Sequence, residues 1–194
     1  MCGIAGEIRF DGTYPSQDNI EKMLHKMTPR GPDGQGIYAH NNIALGHRRL
    51  KIIDLSDQGS QPMVDNALGL VIVFNGCIYN YQQLRKELSD KGYNFFSHCD
   101  TEVIIKAYKE WGEQCVERFH GMFAFAIVER ESGKVFMARD RFGIKPFYYQ
   151  SNDKFFRFAS FLPSLLHLPD TEKDIDPAAL NQFLSFRAIV GRHS

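Results

Sequence analysis

The spacing of apolar residues changes several times along the chain, and each change predicts an element. Residues 4–10 read as a strand beginning almost at the amino terminus. Pro15 and Ser16 open a helix in which Ile20, Met23, Leu24 and Met27 recur at the three-to-four spacing of one apolar face. Asp18 and Glu21 stand at capping-box spacing within it. The run Arg30-Gly31-Pro32-Asp33-Gly34 ends that helix. Strands follow at 36–40 and 43–48 about an Asn41-Asn42 turn, 49–54 continues extended, and 56–62 is a polar loop. Residues 69–74 form an unbroken, β-branched-rich apolar run, the pattern of a strand buried on both faces, and it ends at Asn75-Gly76.

The second half alternates differently. A helix over 81–91 turns Leu84 and Leu88 inward and closes at Gly92. Residues 93–96 form a short strand. Asp100 or Thr101 caps a helix with Ile104, Ala107, Tyr108 and Trp111 on one face, and 114–119 is again helical. Two hairpins follow, 122–130 with 134–140 around Glu131-Ser132-Gly133, and 147–150 with 155–160. A helix over 177–186 starts on a proline. Strict β-α-β alternation is absent, so the order predicts an α+β fold of antiparallel sheets with segregated helices. The phenylalanines crowd the chain from Phe119 onward and predict a thick aromatic core.

At 194 residues, with 43% hydrophobic and 24% charged residues, the chain has the makeup of a soluble globular domain. Lys+Arg and Asp+Glu balance at 23 each. That excludes the basic footprint of a nucleic-acid binder and the polybasic signature of a membrane-surface protein. No secretory leader or membrane-length apolar run is present in the sequence, and no cysteine pair has C-x-x-C spacing. The expected location is the cytoplasm, with reduced thiols and no membrane association. Cys77, Cys99 and Cys115 read as buried small hydrophobes. Cys2 does not, because a chain end is rarely part of a core.

Loss of Met1 would place the Cys2 thiol beside a free α-amine. Both groups titrate near neutrality, so the amine can act as general base for the thiol of its own residue. Other segments agree with this. They are Cys2-Gly3-Ile4-Ala5-Gly6, Arg30-Gly31-Pro32-Asp33-Gly34, the Gly46-His47-Arg48-Arg49-Leu50-Lys51-Ile52-Ile53-Asp54 run and Gln61-Pro62-Met63. Phe74-Asn75-Gly76-Cys77-Ile78-Tyr79-Asn80, Asp100-Thr101-Glu102 and the run from Ala138 to Tyr149 complete the series.

In this order and spacing the segments resemble the glutaminase domain of class II glutamine amidotransferases, nearest the asparagine synthetase branch. The resemblance covers about residues 2–186 and implies the N-terminal-nucleophile hydrolase fold: a four-layer αββα sandwich of two antiparallel sheets between helices. It implies that Cys2 attacks the side-chain amide of glutamine, releasing ammonia and then glutamate from a thioester. It assigns the oxyanion hole to Asn75 and Gly76, a pair that otherwise reads as a plain turn. It assigns the glutamine pocket to Arg49, Leu50, Ile52, Ile53, Asn75, Gly76 and Asp100. Arg49 would hold the α-carboxylate and Asp100 the α-ammonium, although Asp100 is equally a helix cap. Arg48 should point the opposite way from Arg49.

One position departs from the pattern: Cys77 stands where asparagine synthetases normally carry Glu, which predicts weaker glutamine binding. The Gly34-x-Gly36-x-x-Ala39 match to a dinucleotide fingerprint is set aside, because it follows a helix and opens a strand. The Ser-Gly-Gly-x-Asp-Ser phosphate loop of a synthetase domain does not occur in this sequence, and neither does a Walker A motif. The expectation is a glutaminase domain over 1–186, with 187–194 starting a linker to a C-terminal synthetase domain outside this chain. No cofactor is expected in the domain, and ATP and Mg are expected only in the synthetase domain. A homodimer is allowed. Two alternatives stand beside this reading: a hydrolase of another amide, and a catalytically weak or inactive glutamine-binding or docking domain.

Overall fold

The computed structural model describes residues 1–190. Two antiparallel sheets stack face to face, with helices on both outer faces. The first sheet contains β1 (Gly3–Arg9), β2 (Gly34–His40), β3 (Ile43–Arg49), β8 (Tyr148–Ser151) and β9 (Phe155–Ala159), in the order β2-β3-β1-β9-β8. The second contains β4 (Met63–Asp65), β5 (Leu70–Ile78), β6 (Gly121–Glu129) and β7 (Val135–Arg139), in the order β4-β5-β6-β7. On the outer face of the first sheet lie α1 (Gln17–Lys26) and α4 (Leu162–Leu166). On the outer face of the second lie α2 (Tyr81–Asp90) and α3 (Asp100–Trp111). The last helix is α5 (Pro177–Phe186).

Side-chain alternation along the strands produces these layers. Ile72 and Phe74 of β5, with Phe123, Phe125 and Ile127 of β6, pack on Leu84, Leu88, Val103 and Ile104 of the helices. Their neighbours Val71, Val73, Ala124, Ala126 and Val128 face the other way, onto Ile4, Ile43, Leu45 and Phe158 of the first sheet. Ala5, Ala44 and Ala159 leave room on the outer face for Ile20, Met23, Leu24 and Met27 of α1. The four-layer sandwich expected from the sequence is therefore the observed one.

His47 joins the two sheets. It is fully buried, and its Nε2 lies 3.2 Å from the Phe74 carbonyl oxygen of β5. Burial pushes its pKa down to about 3, so the ring is neutral and Nε2–H donates. The folded value lies below the unfolded one, so the stability from this group is present above about pH 6.5 and is lost as pH falls toward 3. Denaturation midpoints should drop between about pH 6.5 and 5, and the drop should be smaller in His47→Gln. An equal drop in both proteins would contradict this assignment.

Several local expectations are corrected. α1 is capped by Ser16, whose Oγ accepts from the Asn19 N–H at 3.3 Å. Asp18 instead pairs with Lys22, and Glu21 accepts from Gln17. Residues 93–96 are not a strand, because the Glu102 carboxylate takes the N–H groups of Phe96 (2.9 Å) and Ser97 (2.7 Å). The chain after Arg49 is not extended but folds back over the Arg49 side chain. The 114–119 stretch is a 3₁₀ helix over Gly112–Arg118. The short elements β4 and α4 were not expected. α5 ends at Phe186 as expected, and residues 191–194 of the expected linker lie outside the described residues.

Candidate functional site

A cavity of about 330 Å³ opens where the carboxyl-terminal half of β5 meets the chain just before β1. It is lined by Cys2, Arg49, Leu50, Ile52, Ile53, Asn75, Gly76 and Asp100, so all the sequence-derived site residues converge on it. The topology accounts for the convergence. β1 is the central strand of its sheet and runs antiparallel to β3, pairing Gly3 with Arg48. One step further out, this register brings Cys2 beside Arg49 and Leu50. The Leu50 N–H points at Cys2 Sγ from 3.4 Å.

The Cys2 thiol is raised above its ordinary pKa, chiefly by burial, while the Leu50 backbone, the chain's amino group and Arg49 pull it down. A thiol held protonated in this way needs a base before it can act as a nucleophile. With Met1 in place, the terminal amine lies 3.1 Å from the Arg30 carbonyl oxygen and the Met1 side chain lines the cavity. The Arg30 guanidinium Nε in turn donates to the Cys2 carbonyl oxygen at 3.3 Å, fixing the segment that carries the thiol.

Asn75 and Gly76 lie inside β5 and not at its end, which corrects the expectation that the strand stops at Asn75-Gly76. The ladder to β6 continues through Asn75↔Ala124 and Gly76↔Phe123. Asn75 is 1% exposed, and its Nδ2 has no hydrogen-bond partner. A buried donor left unpaired costs about 1–3 kcal/mol, so its retention points to an acceptor that arrives from outside the chain. Gly76 is required by space: a Cβ there would sit 2.3 Å from the Met122 carbonyl oxygen and 2.7 Å from the Phe74 ring.

Arg49 is buried, and its guanidinium is steered by the loop that follows it. Nη1 donates to the Ser56 carbonyl oxygen at 2.7 Å, and Nη2 donates to the Asp54 carbonyl oxygen. These contacts use part of a five-donor fork and leave the rest to the cavity. Gly59 is what lets the loop come so close, since a Cβ there would lie 2.4 Å from Arg49 Nη2. Arg48 points away as expected and donates to Gln35 at 2.7 Å. Ile52 and Ile53 form an exposed apolar rim.

Asp100 is the first residue of α3, and Cys99 holds the cap position without a side-chain bond. Asp100 Oδ2 accepts from the Ile78 N–H at 3.0 Å, tying the end of β5 to the helix. Burial raises the Asp100 carboxyl to about 6, against the pull of the Ile78, Asp100 and Thr101 amides. The raised value means that its stabilising contribution is complete below about 3.8 and is lost as pH rises through 6. Asp100→Asn should therefore raise the melting temperature near pH 8 and change it little near pH 4. An unchanged melting temperature at both would contradict the assignment.

The cavity also contains residues that sequence reasoning left out of the site. Gln61 accepts from the Phe74 N–H at 2.6 Å and donates to Thr101 Oγ1 at 3.2 Å, bracing the floor. Lys145 enters from the loop after β7, a stretch that read as architectural. Cys99 and Cys115 are buried as expected, Cys99 against the cavity wall, whereas Cys77 is half-buried and lines the cavity. The signals for Gln61, Thr101 and Lys145 were their places in the quoted motifs, which carried no chemistry of their own.

A family model described as a glutamine amidotransferase domain matches residues 1–194. The chain is 36% identical to the glutamine-hydrolyzing asparagine synthetase 3 of Bacillus subtilis (strain 168), over 94% of this chain and 30% of that protein. It is 40% identical to the putative glutamine-hydrolyzing asparagine synthetase 2 of Methanocaldococcus jannaschii, over 89% of this chain and 36% of that protein. It thus spans about a third of the length of these curated relatives. In fold it is similar to the glutamine phosphoribosylpyrophosphate amidotransferase of Bacillus subtilis, with a TM-score of 0.71 and 21% identity over 84% of this chain and 43% of that one. The architecture is the N-terminal-nucleophile sandwich. With a family model covering the whole sequence and relatives of this identity, the chain belongs to the glutamine amidotransferase domain family.

Proposed function

We propose that this domain hydrolyses the side-chain amide of glutamine to glutamate and ammonia, with Cys2 as nucleophile once Met1 is removed. The observation that carries the reading is the unpartnered, buried Nδ2 of Asn75 in the cavity that also holds the Cys2 thiol. In the proposed cycle the Cys2 α-amine takes the thiol proton and the sulfur attacks the amide carbon. The developing oxyanion accepts from Asn75 Nδ2–H and the Gly76 N–H. Collapse of the tetrahedral species expels ammonia, which carries the proton from the α-ammonium. Water then adds to the thioester and releases glutamate. Arg49 holds the α-carboxylate and Asp100 the α-ammonium, both from the lining of the cavity. Leu50, Ile52 and Ile53 shape its mouth.

This cycle needs no metal or cofactor. On the same reading, the ammonia passes to an ATP- and Mg-dependent amide-forming synthetase domain like that of asparagine synthetases. Two observations support a further domain. The relatives are about three times as long as this chain. Leu180, Phe183, Leu184 and Phe186 of α5 are exposed apolar residues suited to packing against another body. Four free cysteines fit a reducing compartment, so the cytoplasm is the proposed location. No helix among the described residues is long and apolar enough to cross a membrane.

The test is product analysis on protein lacking Met1. Equimolar glutamate and ammonia from glutamine, without ammonia from asparagine or simple amides, is the expected result. Ammonia from another amide but not from glutamine would favour the broader hydrolase reading. Binding of glutamine without turnover would favour the inactive-domain reading.

A further inference from the structure

β5 loses a neighbour where the site begins. Its pairing with β4 stops at Met63↔Ile72, while on its other side the ladder to β6 runs on to Ile78. Beyond Ile72, one edge of β5 therefore has no strand beside it among the described residues. Side chains stand in for that strand. Gln61 Oε1 accepts from the Phe74 N–H at 2.6 Å, and His47 Nε2 donates to the Phe74 carbonyl oxygen at 3.2 Å. Asp100 Oδ2 accepts from the Ile78 N–H at 3.0 Å. In an antiparallel ladder, alternate residues turn their backbone groups to the same edge, so Gly76 faces this open edge as Phe74 and Ile78 do. Tyr79, one residue out of step, turns its N–H back to the His120 carbonyl oxygen at 2.7 Å. Asn75 and Gly76 thus lie between two pinned points, with Gly76 on the cavity wall.

The pins at Phe74 are built into the fold. Gln61 Nε2 donates to Thr101 Oγ1 at 3.2 Å, which fixes the direction of its amide. Thr101 follows Asp100 in α3, so Phe74, Gln61, Thr101, Asp100 and Ile78 close a ring around Asn75 and Gly76. His47 is fully buried on β3 and does not line the cavity. The carbonyl it holds belongs to the peptide that joins Phe74 to Asn75. That bond fixes the plane from which the Asn75 side chain projects.

We propose that Gln61 and His47 are positioning residues that aim the oxyanion hole, holding the open edge of β5 so that Asn75 Nδ2 and the Gly76 N–H converge on one point. A hydrogen bond weakens steeply as its angle departs from linear, and a preorganised donor helps only if its direction is set before charge develops. Arg49 has separate supports in the Asp54 and Ser56 carbonyls, so the head-group pocket survives when the Phe74 pins are lost. The loss falls on kcat and spares glutamine affinity. The inference rests on the reading of Cys2, Asn75 and Gly76 as a glutaminase site.

The experiment measures kcat in Met1-free parent, Gln61→Met, Thr101→Val, His47→Leu and His47→Gln, and glutamine Kd for each change in a Cys2→Ala background. Gln61→Met and His47→Leu should each lower kcat about tenfold, part of the effect of deleting a donor outright, with Kd changed less than about twofold. His47→Gln keeps an N–H donor near the place of Nε2 and should restore most of the loss. Thr101→Val is the mildest change, frees only the Gln61 amide, and should lower kcat about threefold if the larger changes prevent folding. In an Asn75→Ala background, Gln61→Met should cost less than about threefold, because the donor it aims is gone. A tenfold loss that persists there, a fall in affinity that matches the fall in kcat/KM, or normal kcat in Thr101→Val and His47→Leu would overturn this inference alone. Absence of glutamine hydrolysis by the parent would overturn the glutaminase reading and the inference with it.

Discussion

Replacing Cys2 with Ala is expected to lower glutamine hydrolysis by roughly 10⁴-fold or more, the scale on which loss of a covalent nucleophile is felt. No other thiol in the chain is placed to substitute. Cys99 touches the cavity wall but is buried, and burial raises its thiol, while burial holds the Cys115 thiol at about 12. Cys77 opens on the cavity, but burial and Asp100 raise its thiol as well. Cys2 differs in having a base available within its own residue after Met1 is removed. A chain that keeps Met1 should therefore be as inactive as Cys2→Ala, although the thiol is intact. In that chain Cys2 nitrogen is an amide, and the Met1 side chain lines the cavity. The melting temperature should barely change in Cys2→Ala, because Cys2 precedes β1 and is only half-buried. The check is ammonia release by matched preparations of the two proteins and the parent. Activity within about tenfold of the parent in either would contradict the mechanism.

Asn75→Ala is expected to lower kcat by about 10²–10³-fold, the usual cost of one oxyanion-hole donor, with a smaller change in KM. The same change should leave stability unaltered or slightly raised. In the free protein the amide nitrogen is buried without a partner, so its removal also removes a desolvated donor. A structural asparagine would behave in the opposite way, since deleting a satisfied buried amide destabilises the fold. Steady-state kinetics paired with a denaturation curve separate the two. A loss of stability with near-normal kcat would mean that Asn75 serves packing, and the oxyanion hole would have to be sought elsewhere.

The sequence carried the layers of this fold well, because two-residue alternation in β5 and β6 and the apolar stripe of α1 are direct images of burial. It misled where a side chain competes for the backbone. Residues 93–96 look like a strand, but Glu102 captures the amide groups a strand would have paired. Asn75-Gly76 looks like a turn, yet the ladder to β6 runs through it and the missing Cβ makes room for the Met122 carbonyl. At the site, the motif residues were legible and their supports were not. Nothing in the order of residues tells that Asp54 and Ser56 carbonyls hold the Arg49 guanidinium, or that Gly59 gives them space. Lys145 reads as one more charge in a Gly- and Pro-rich loop. Its burial in the cavity follows from the hydrogen bonds that the Asp140 carboxylate accepts from the N–H groups of Phe123, Ile144 and Lys145, which are visible only in three dimensions.

The central claim is that an amino-terminal Cys2 is the nucleophile, and intact-mass analysis with peptide mapping tests it most directly. Protein incubated with a glutamine-like diazoketone or chloroketone should lack the mass of Met1 and gain a single adduct, mapped to Cys2 and prevented by excess glutamine. An adduct on Cys77, or labelling of Cys2 that is equally fast with Met1 retained, would contradict the account.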